Sequence, residues 1–400
     1  MKCFDLLWLH EVINCLYDAG LQNDKLPLLF LENKNAKVAV NTHGRTTTRV
    51  SIKEIIIQGS IWGSLCCVML MDKLGQMVYK NPELLFMYKG LVGTPPLQMV
   101  DDILGVQKCS SNSLYLNTAI NTFVKLEKLI LSSKKCNNIH VGVNNIQCPP
   151  LTIDGIEMKN SEQEKYLGDI LDKKGTCRPN IEKRISERYS KYSIVSNILA
   201  IVNEVPLGYW KVQAGLSLRQ AMLLNGILFN SEVWQGTETK DVILLEKVDE
   251  ALLRGILGAH PKIPLEALYL ETKSIPIRFI ISSRRILYLH NILQKDKDEM
   301  ISKIYAAQKE KPSKGDFVNL VKNDLENIGL EISEHEMIQI PKQNLKKDKV
   351  LNASFIYLKS LQRNHSKMKN MKHQNILTVP CLVEIVDGCC LGCVPEQCEV

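Results

Sequence analysis

Two adjacent carboxylates, Asp101 and Asp102, stand between two short aliphatic runs, Leu97-Gln98-Met99-Val100 and Ile103-Leu104-Gly105-Val106. The first run is entered through Gly93-Thr94-Pro95-Pro96, which reads as a loop. The pattern predicts a strand, a tight turn carrying the acids, and a second strand. Neighbouring acids repel each other and lose hydration if buried, so something must compensate them. Solvent does so at an ordinary hairpin tip; a divalent cation with oxygen ligands does so at a metal site. Both readings are open from the pair alone. Upstream, Ile57-Gln58-Gly59-Ser60-Ile61-Trp62-Gly63-Ser64 reads as a strand end, a glycine turn and a helix start. Gly59 and Gly63 allow a ligand to approach the backbone, Gln58 offers an amide, and a helix N-terminus favours an anion such as a triphosphate.

Other residues carry chemistry more weakly. Arg184, Arg188 and Lys191 recur at i, i+4 and i+7 beside an apolar stripe of Ile181, Ile185, Tyr189, Tyr192 and Val195. Such a helix either turns a solvated face outward or lies along a phosphate backbone. Cys390-Leu391-Gly392-Cys393 has zinc-ligand spacing, but no second well-spaced pair or His follows it, so an unstructured tail is the competing reading.

The elements that must position these groups follow from periodicity. Residues 3–19 form an amphipathic pattern, and strands are expected at Val38–Val40 and Val50–Ile57. A buried helix is expected over Ile61–Tyr79 and another over Ser113–Leu131. Strands follow at Ile139–Val143 and Leu151–Met158, the latter turning at Asp154-Gly155. Up to about residue 172 the chain therefore mixes α and β. Beyond it, helices are expected at Leu216–Val233, Val242–Leu257 and Ile277–Leu293, with a stop at Gly258-Ala259-His260-Pro261. From about residue 309 the chain turns polar and Lys-rich, and little fixed structure is expected.

The 400 residues suffice for two or three domains, and 45% hydrophobic with 23% charged residues is the composition of a folded chain. The net charge of +7 is concentrated: residues 341–373 hold nine Lys or Arg against the single acid Asp348. That block suits a polyanion or a solvated tail. Eight of the thirteen cysteines are scattered through residues 1–177, as in reduced intracellular thiols, which predicts the nucleus or cytoplasm. No apolar stretch is long enough to span a membrane, and Asp5, His10 and Glu11 interrupt the N-terminal apolar run too early for a signal peptide.

Taken in order, these blocks resemble the reverse transcriptases of non-LTR (LINE-type) retrotransposons. Lys2-Cys3-Phe4-Asp5 is similar to the end of the family's first palm motif, Gln58-Gly59 with Gly63-Ser64 to the second, and Met99-Val100-Asp101-Asp102 to the third. Leu131-Ser132-Ser133-Lys134-Lys135 is similar to the fourth, with Ser132 where the family has Asn. Lys165-Tyr166-Leu167-Gly168 resembles the Tyr-Leu-Gly that closes the palm. Ser231-Glu232-Val233-Trp234 and Leu253-Arg254-Gly255-Ile256-Leu257-Gly258 resemble helical blocks behind it. The likeness covers roughly residues 1–300. It implies an α+β fold: a partial right-hand polymerase palm (an antiparallel sheet with helices) over 1–172, a mostly helical thumb over 173–300, and a basic, Cys-ended, poorly ordered tail over 301–400.

The resemblance also implies an RNA-directed DNA polymerase using Mg²⁺, an RNA template, a DNA primer and a deoxynucleoside triphosphate. Asp101 would ligate the metal and Asp102 assist. Phe4 would sit under the incoming sugar, Gln58 and Gly59 would line the nucleotide pocket, and Lys135 would lie near the phosphates as a proton donor. One departure matters most. The first motif places an Asp three residues before its Lys, and that position falls two residues before Met1. Two-metal nucleotidyl transfer is therefore expected to be crippled in these residues, and the chain is expected to derive from a longer reading frame. The alternative is a non-catalytic nucleic-acid-binding remnant or a co-opted protein. An unrelated metal-dependent hydrolase lacks the His and Glu clusters such sites show, and no endonuclease is visible.

Overall fold

The computed structural model describes residues 9–21, 25–34, 37–39, 41–42, 44–51, 61–142, 150–153, 155–188, 209–234 and 239–342, with the single residues 345 and 356. The chain divides into two compact units, Met1–Lys174 and Gly175–Val400. Among the described residues no helix is long and apolar enough to cross a membrane.

The first unit mixes α and β. Its helices are α1 (Leu9–Asp18) and α2 (Leu26–Lys34), then short strands β1 (Lys37–Val38), β2 (Asn41–Thr42), β3 (Arg45–Thr46) and β4 (Val50–Ser51) lead to α3 (Ile61–Tyr79). Strands β5 (Phe86–Tyr88), β6 (Val92–Thr94), β7 (Leu97–Met99) and β8 (Asp102–Leu104) precede α4 (Ser110–Leu126). Strands β9 (Asn137–Asn138), β10 (Thr152–Ile153), β11 (Ile156–Glu157), β12 (Lys159–Asn160), β13 (Gln163–Tyr166) and β14 (Asp169–Asp172) complete it. Helix α3 buries Cys67, Leu70, Met71, Leu74 and Val78 at helical spacing against Leu9, Val12 and Leu16 of α1 and Leu116, Phe123 and Val124 of α4. Each such aliphatic side chain contributes about 1.5–3 kcal/mol by leaving water. This is the core that carries the strands.

The observed class is α+β, as expected, but the described strands do not join into one broad sheet. They form two-stranded ladders, antiparallel except for the parallel pair of β9 with β12. The cause is local. Lys89 (φ 51°), Val100 (φ 57°) and Leu167 (φ 48°) take left-handed turns that fold each strand straight back onto its successor. Helix α4 stops five residues short of the expected Leu131. Lys128 adopts φ 52°, and the Leu129 N–H donates to the Val124 carbonyl at 2.8 Å while the Lys128 N–H donates to Lys125 at 3.3 Å. That is a Schellman closure, normally glycine's role, here made by Lys. Strand β6 takes in Gly93 and Thr94, where a loop is expected.

The second unit is helical. Helix α5 begins at residue 178 and is described as far as 188. It is followed by α6 (Tyr209–Leu218), a π-helical turn over Arg219–Leu224, α7 (Asn225–Ile227) and a 3₁₀ turn at Ser231–Val233. Then come α8 (Thr239–Leu257), α9 (Leu265–Glu271), α10 (Ile277–Leu293), α11 (Met300–Glu310), α12 (Phe317–Asn327) and α13 (Glu334–Gln339). Ile181 and Ile185 of α5 pack with Leu224, Leu228, Trp234, Leu245, Leu252, Ile277 and Ile281. The other half of α10 packs Ile286, Leu289 and Ile292 against Tyr305, Phe317, Val321, Ile328 and Met337.

This last cluster corrects the expectation of a poorly ordered tail from residue 301. The helices run to Gln339 and share a core with α10. Their apolar residues are sparse but fall on one face each, as Phe317 and Val321 do, and the Lys-rich background hides the stripe. Helix α13 opens with a capping box: Ser333 Oγ accepts from the Glu336 N–H, and the Glu336 carboxylate accepts from the Ser333 N–H. The expected continuous helix over Leu216–Val233 is also revised. It starts at Tyr209, widens into the π turn, and ends at Ile227 before left-handed Asn230 (φ 57°).

Candidate functional site

Strands β7 and β8 pair in the register Leu97↔Leu104, Gln98↔Ile103 and Met99↔Asp102, leaving Val100 and Asp101 as a two-residue turn. Paired residues share a face. One face carries Leu97, Met99 and Asp102 and is exposed, with Leu97 and Met99 at 50% and 55%. On the other, Ile103 packs against the core of α1, α3 and α4, as does Val100 at the tip. The carboxylates therefore stand at the solvent end of a hairpin whose back is held by apolar packing. Asp101 is half-buried and Asp102 exposed.

The turn is strained. Val100 takes φ 57°, and a β-branched side chain in the left-handed region is a genuine outlier. Such conformations cost on the order of 1–3 kcal/mol and persist only where the surroundings over-determine them. A glycine in place of Val100 would make this turn without strain.

The Tyr-Leu-Gly block lies against this hairpin. Leu167 (φ 48°) and Gly168 (φ 90°) are the two corners of a type I′ turn between β13 and β14, which pairs Tyr166 with Asp169. Tyr166 on β13 directs its hydroxyl to the Leu97 carbonyl at 3.4 Å. Burial, reinforced by the charge of Asp102, raises the Tyr166 phenol above its ordinary pKa. The Asp-Asp hairpin and the Tyr-Leu-Gly turn thus meet in space, although 69 residues separate the bonded pair.

The remaining expected site residues are placed as follows. Lys135 sits in the 3₁₀ turn Ser133–Lys135 with its side chain exposed, its N–H donating to the Ser132 carbonyl at 2.9 Å. Phe4, Gln58, Gly59 and Lys191 lie outside the described residues, as do the C-terminal cysteines and most of the basic block. Among the described residues, no group of three or more His, Cys, Asp or Glu side chains is arranged to hold a metal ion.

The basic stripe of α5 is corrected by the packing. Arg184 is 6% exposed; its Nε–H donates to Asn180 at 3.0 Å, another guanidinium N–H donates to the Phe229 carbonyl at 2.6 Å, and the group lies 5.0 Å from the Phe229 ring centroid. The Arg188 guanidinium covers Gly226 so closely that a Cβ there would lie 2.4 Å from Arg188 Cζ. The physical reason is the helix end that breaks at Ile227. Its carbonyls need donors, and Arg184 serves Phe229 while Arg284 serves Leu228. Helical spacing showed a stripe; it could not show that Arg184 is buried or that Arg188 lies over Gly226. Arg254, near the C-terminal end of α8, likewise closes a loop, donating to Glu250 and to the carbonyls of His260 and Ile263. Sequence reasoning missed the strain at Val100, because nothing in a valine signals positive φ. No protein-family model matches the chain, and no curated protein matches it significantly.

Proposed function

We propose that the chain carries palm and thumb residues of a retrotransposon-type reverse transcriptase, and that the β7–β8 hairpin is its metal-holding tip. The observation that carries this reading is the strained turn at Val100, which presents two adjacent carboxylates from a hairpin backed by the core. Strain of this kind gathers at functional sites, and a β-branched residue makes it costlier here than at Lys89 in the β5–β6 turn. The two acids fit a hard divalent cation that keeps part of its water. Asp101 would be the direct ligand and Asp102 the second. Bound there, Mg²⁺ would supply positive charge to the attacking and leaving oxygens of an in-line phosphoryl transfer from a deoxynucleoside triphosphate to a primer end. Gln58 and Gly59 would line the nucleotide pocket, Phe4 would exclude a sugar 2′-hydroxyl, and Lys135 would donate a proton near the phosphates. An RNA template and a DNA primer are the partners this reading requires.

Two carboxylates alone do not bridge two metal ions well, and among the described residues no third metal-ligating side chain is grouped with them. We therefore expect the chain to bind a divalent cation and primer–template without extending the primer, which joins the polymerase reading to its non-catalytic alternative. Primer extension with Mg²⁺ on an RNA template, beside salt-dependent binding of the same duplex, tests it. The expected result is binding with no extension. Robust extension that disappears in Asp101→Ala would overturn the expected inactivity, and divalent-cation binding unaffected by Asp101→Ala would overturn the site.

A further inference from the structure

We infer that Cys15, Lys73 and Glu127 form an oxidant-sensitive site in the first unit, at which hydrogen peroxide joins the Cys15 sulfur to the Lys73 nitrogen through a single oxygen. The site goes beyond the polymerase reading and stands or falls independently of the carboxylate tip. Lys73 follows Leu70 by three residues and Cys66 by seven, so the three share one face of α3. On that face Cys66 and Leu70 pack with Leu9, Val12 and Leu16 of α1. Cys15, beside Leu16, is 6% exposed. The Lys73 ammonium hydrogen-bonds the Cys15 thiol and donates to both oxygens of the Glu127 carboxylate, each at 3.3 Å. Glu127 is the C-cap of α4. Three helices therefore bring a sulfur, an amine and a carboxylate into one row.

The Lys73 side chain is 35% exposed, so its stem marks the way in from solvent for an oxidant little larger than water. Burial pushes the Cys15 thiol up and Lys73 offsets this only in part, so oxidation is slow and needs sustained peroxide. The first peroxide converts the thiol to a sulfenic acid and leaves as water. Lys73 then passes a proton to Glu127, and its free amine bonds to the sulfenic oxygen while a second peroxide takes up the electrons released. One thiol, one ammonium and two peroxides give the bridge, three waters and a proton held by Glu127. Sulfur and nitrogen are each oxidised by two electrons, and both peroxides are reduced to water. Cys66 shares the seam and is the competing partner. A disulfide, however, needs Cβ atoms about 3.5–4.5 Å apart on two fixed helices, whereas the flexible lysine already bonds the sulfur. The bridge exchanges the α3–α4 ion pair for a covalent α1–α3 tie, since bridged Lys73 no longer carries the charge that faces Glu127.

The test uses the full chain, hydrogen peroxide and mass spectrometry. Thiols left free are alkylated in denaturant without reductant, and the chain is cleaved before its aspartates. This isolates Cys15 on the peptide 5–17 and Lys73 on 72–100, with Cys66 and Cys67 on 24–71. The expected product joins 5–17 to 72–100 at Cys15 and Lys73. It is heavier than the two peptides together by one oxygen less two hydrogens, and dithiothreitol returns both. Lys73→Arg, which keeps a charge facing Glu127, loses the product; Cys66→Ala keeps it; Glu127→Gln forms it more slowly. Three results would each overturn the proposal: Cys15 joined to 24–71 instead, Cys15 recovered unbridged once exposed Cys109 is fully oxidised, or a product undiminished in Lys73→Arg. Should Lys73→Arg fail to fold, fragmentation of the native product, which separates Lys73 from Lys80 and Lys89, decides the matter.

Discussion

The most demanding structural test lies in the helical unit, at the pair Arg219–Asp249. Asp249 is 0% exposed and Arg219 5%. The guanidinium grips the carboxylate by both ends, Nε–H to one oxygen and Nη2–H to the other, each at 2.6 Å. Tyr269 adds a hydroxyl bond to Asp249 at 3.0 Å, and Arg219 reaches Ser274 at 3.4 Å. Burial first, and then the Asp249 charge, raise the Tyr269 phenol far above its ordinary pKa, so it remains a donor. Removing one member leaves the other charged and buried. Arg219→Met or Asp249→Leu should therefore each cost about 3–5 kcal/mol. In the double variant Arg219→Met/Asp249→Leu no charge is stranded; only the Tyr269 and Ser274 hydroxyls lose partners, at about 1–3 kcal/mol. Independent sites would give the sum of the singles, about 6–10 kcal/mol. Urea unfolding of the full chain, followed by helical circular dichroism, reads the difference, with an unchanged slope required for each variant. A double variant as unstable as the summed singles, or an Asp249→Leu cost below about 1 kcal/mol, would refute the claim that stranded charge sets the magnitude.

Other outcomes follow from single contacts. A Cβ on Gly215 would lie 2.9 Å from Ile256 Cγ2 in the core, so Gly215→Ala should cost about 1–3 kcal/mol. Gly226→Ala should cost less by the same denaturation assay, because the atom it meets is the far end of Arg188, which can swing aside. Burial pushes the Glu334 carboxyl up, but bonds from Lys309 at 2.8 Å and Tyr305 at 2.7 Å outweigh it and hold its pKa below the ordinary glutamate value. Its stabilising contribution is thus present above the unfolded-state pKa and lost as pH falls through the folded one. Amide exchange in α13 should accelerate in acid relative to a global reference, and Glu334→Gln should abolish that pH dependence. Bonds from Ser111, then from the Asn112 N–H, lower the pKa of exposed Cys109, whereas burial pushes the Cys66 thiol up to about 11. Alkylation at neutral pH read by peptide mass spectrometry should label Cys109 well before Cys15 or Cys66; comparable rates would contradict the packing of α1 on α3.

Legibility tracked the density of the apolar signal. Helices α3 and α10 have the bounds read from their periodicity, because each buries a long stripe. Helix α4 was overextended, since its Schellman closure uses Lys128 where a glycine would have announced the end. Helices α11 to α13 were passed over because about one buried apolar residue per turn, set among lysines and glutamates, looks like solvated chain until α10 supplies the opposing face. The π turn at Arg219–Leu224 had no local signature at all; what it serves is the ion pair with Asp249, which arrives from 30 residues away.

The site divides along the same physical line. That Asp101 and Asp102 occupy a hairpin tip is a local fact, written in the aliphatic runs on either side. Whether the tip is an idle turn or a built one depends on contacts that no window of sequence holds. A glycine in place of Val100 would relieve the strain of this tip. This tip places a valine at φ 57°, anchors it through Val100 and Ile103 to a core made by three helices, and receives a tyrosine hydroxyl from a second hairpin. Each feature costs free energy or restricts sequence, and on the proposed reading a bound cation would offset that cost, because its oxygen ligands must converge on one point.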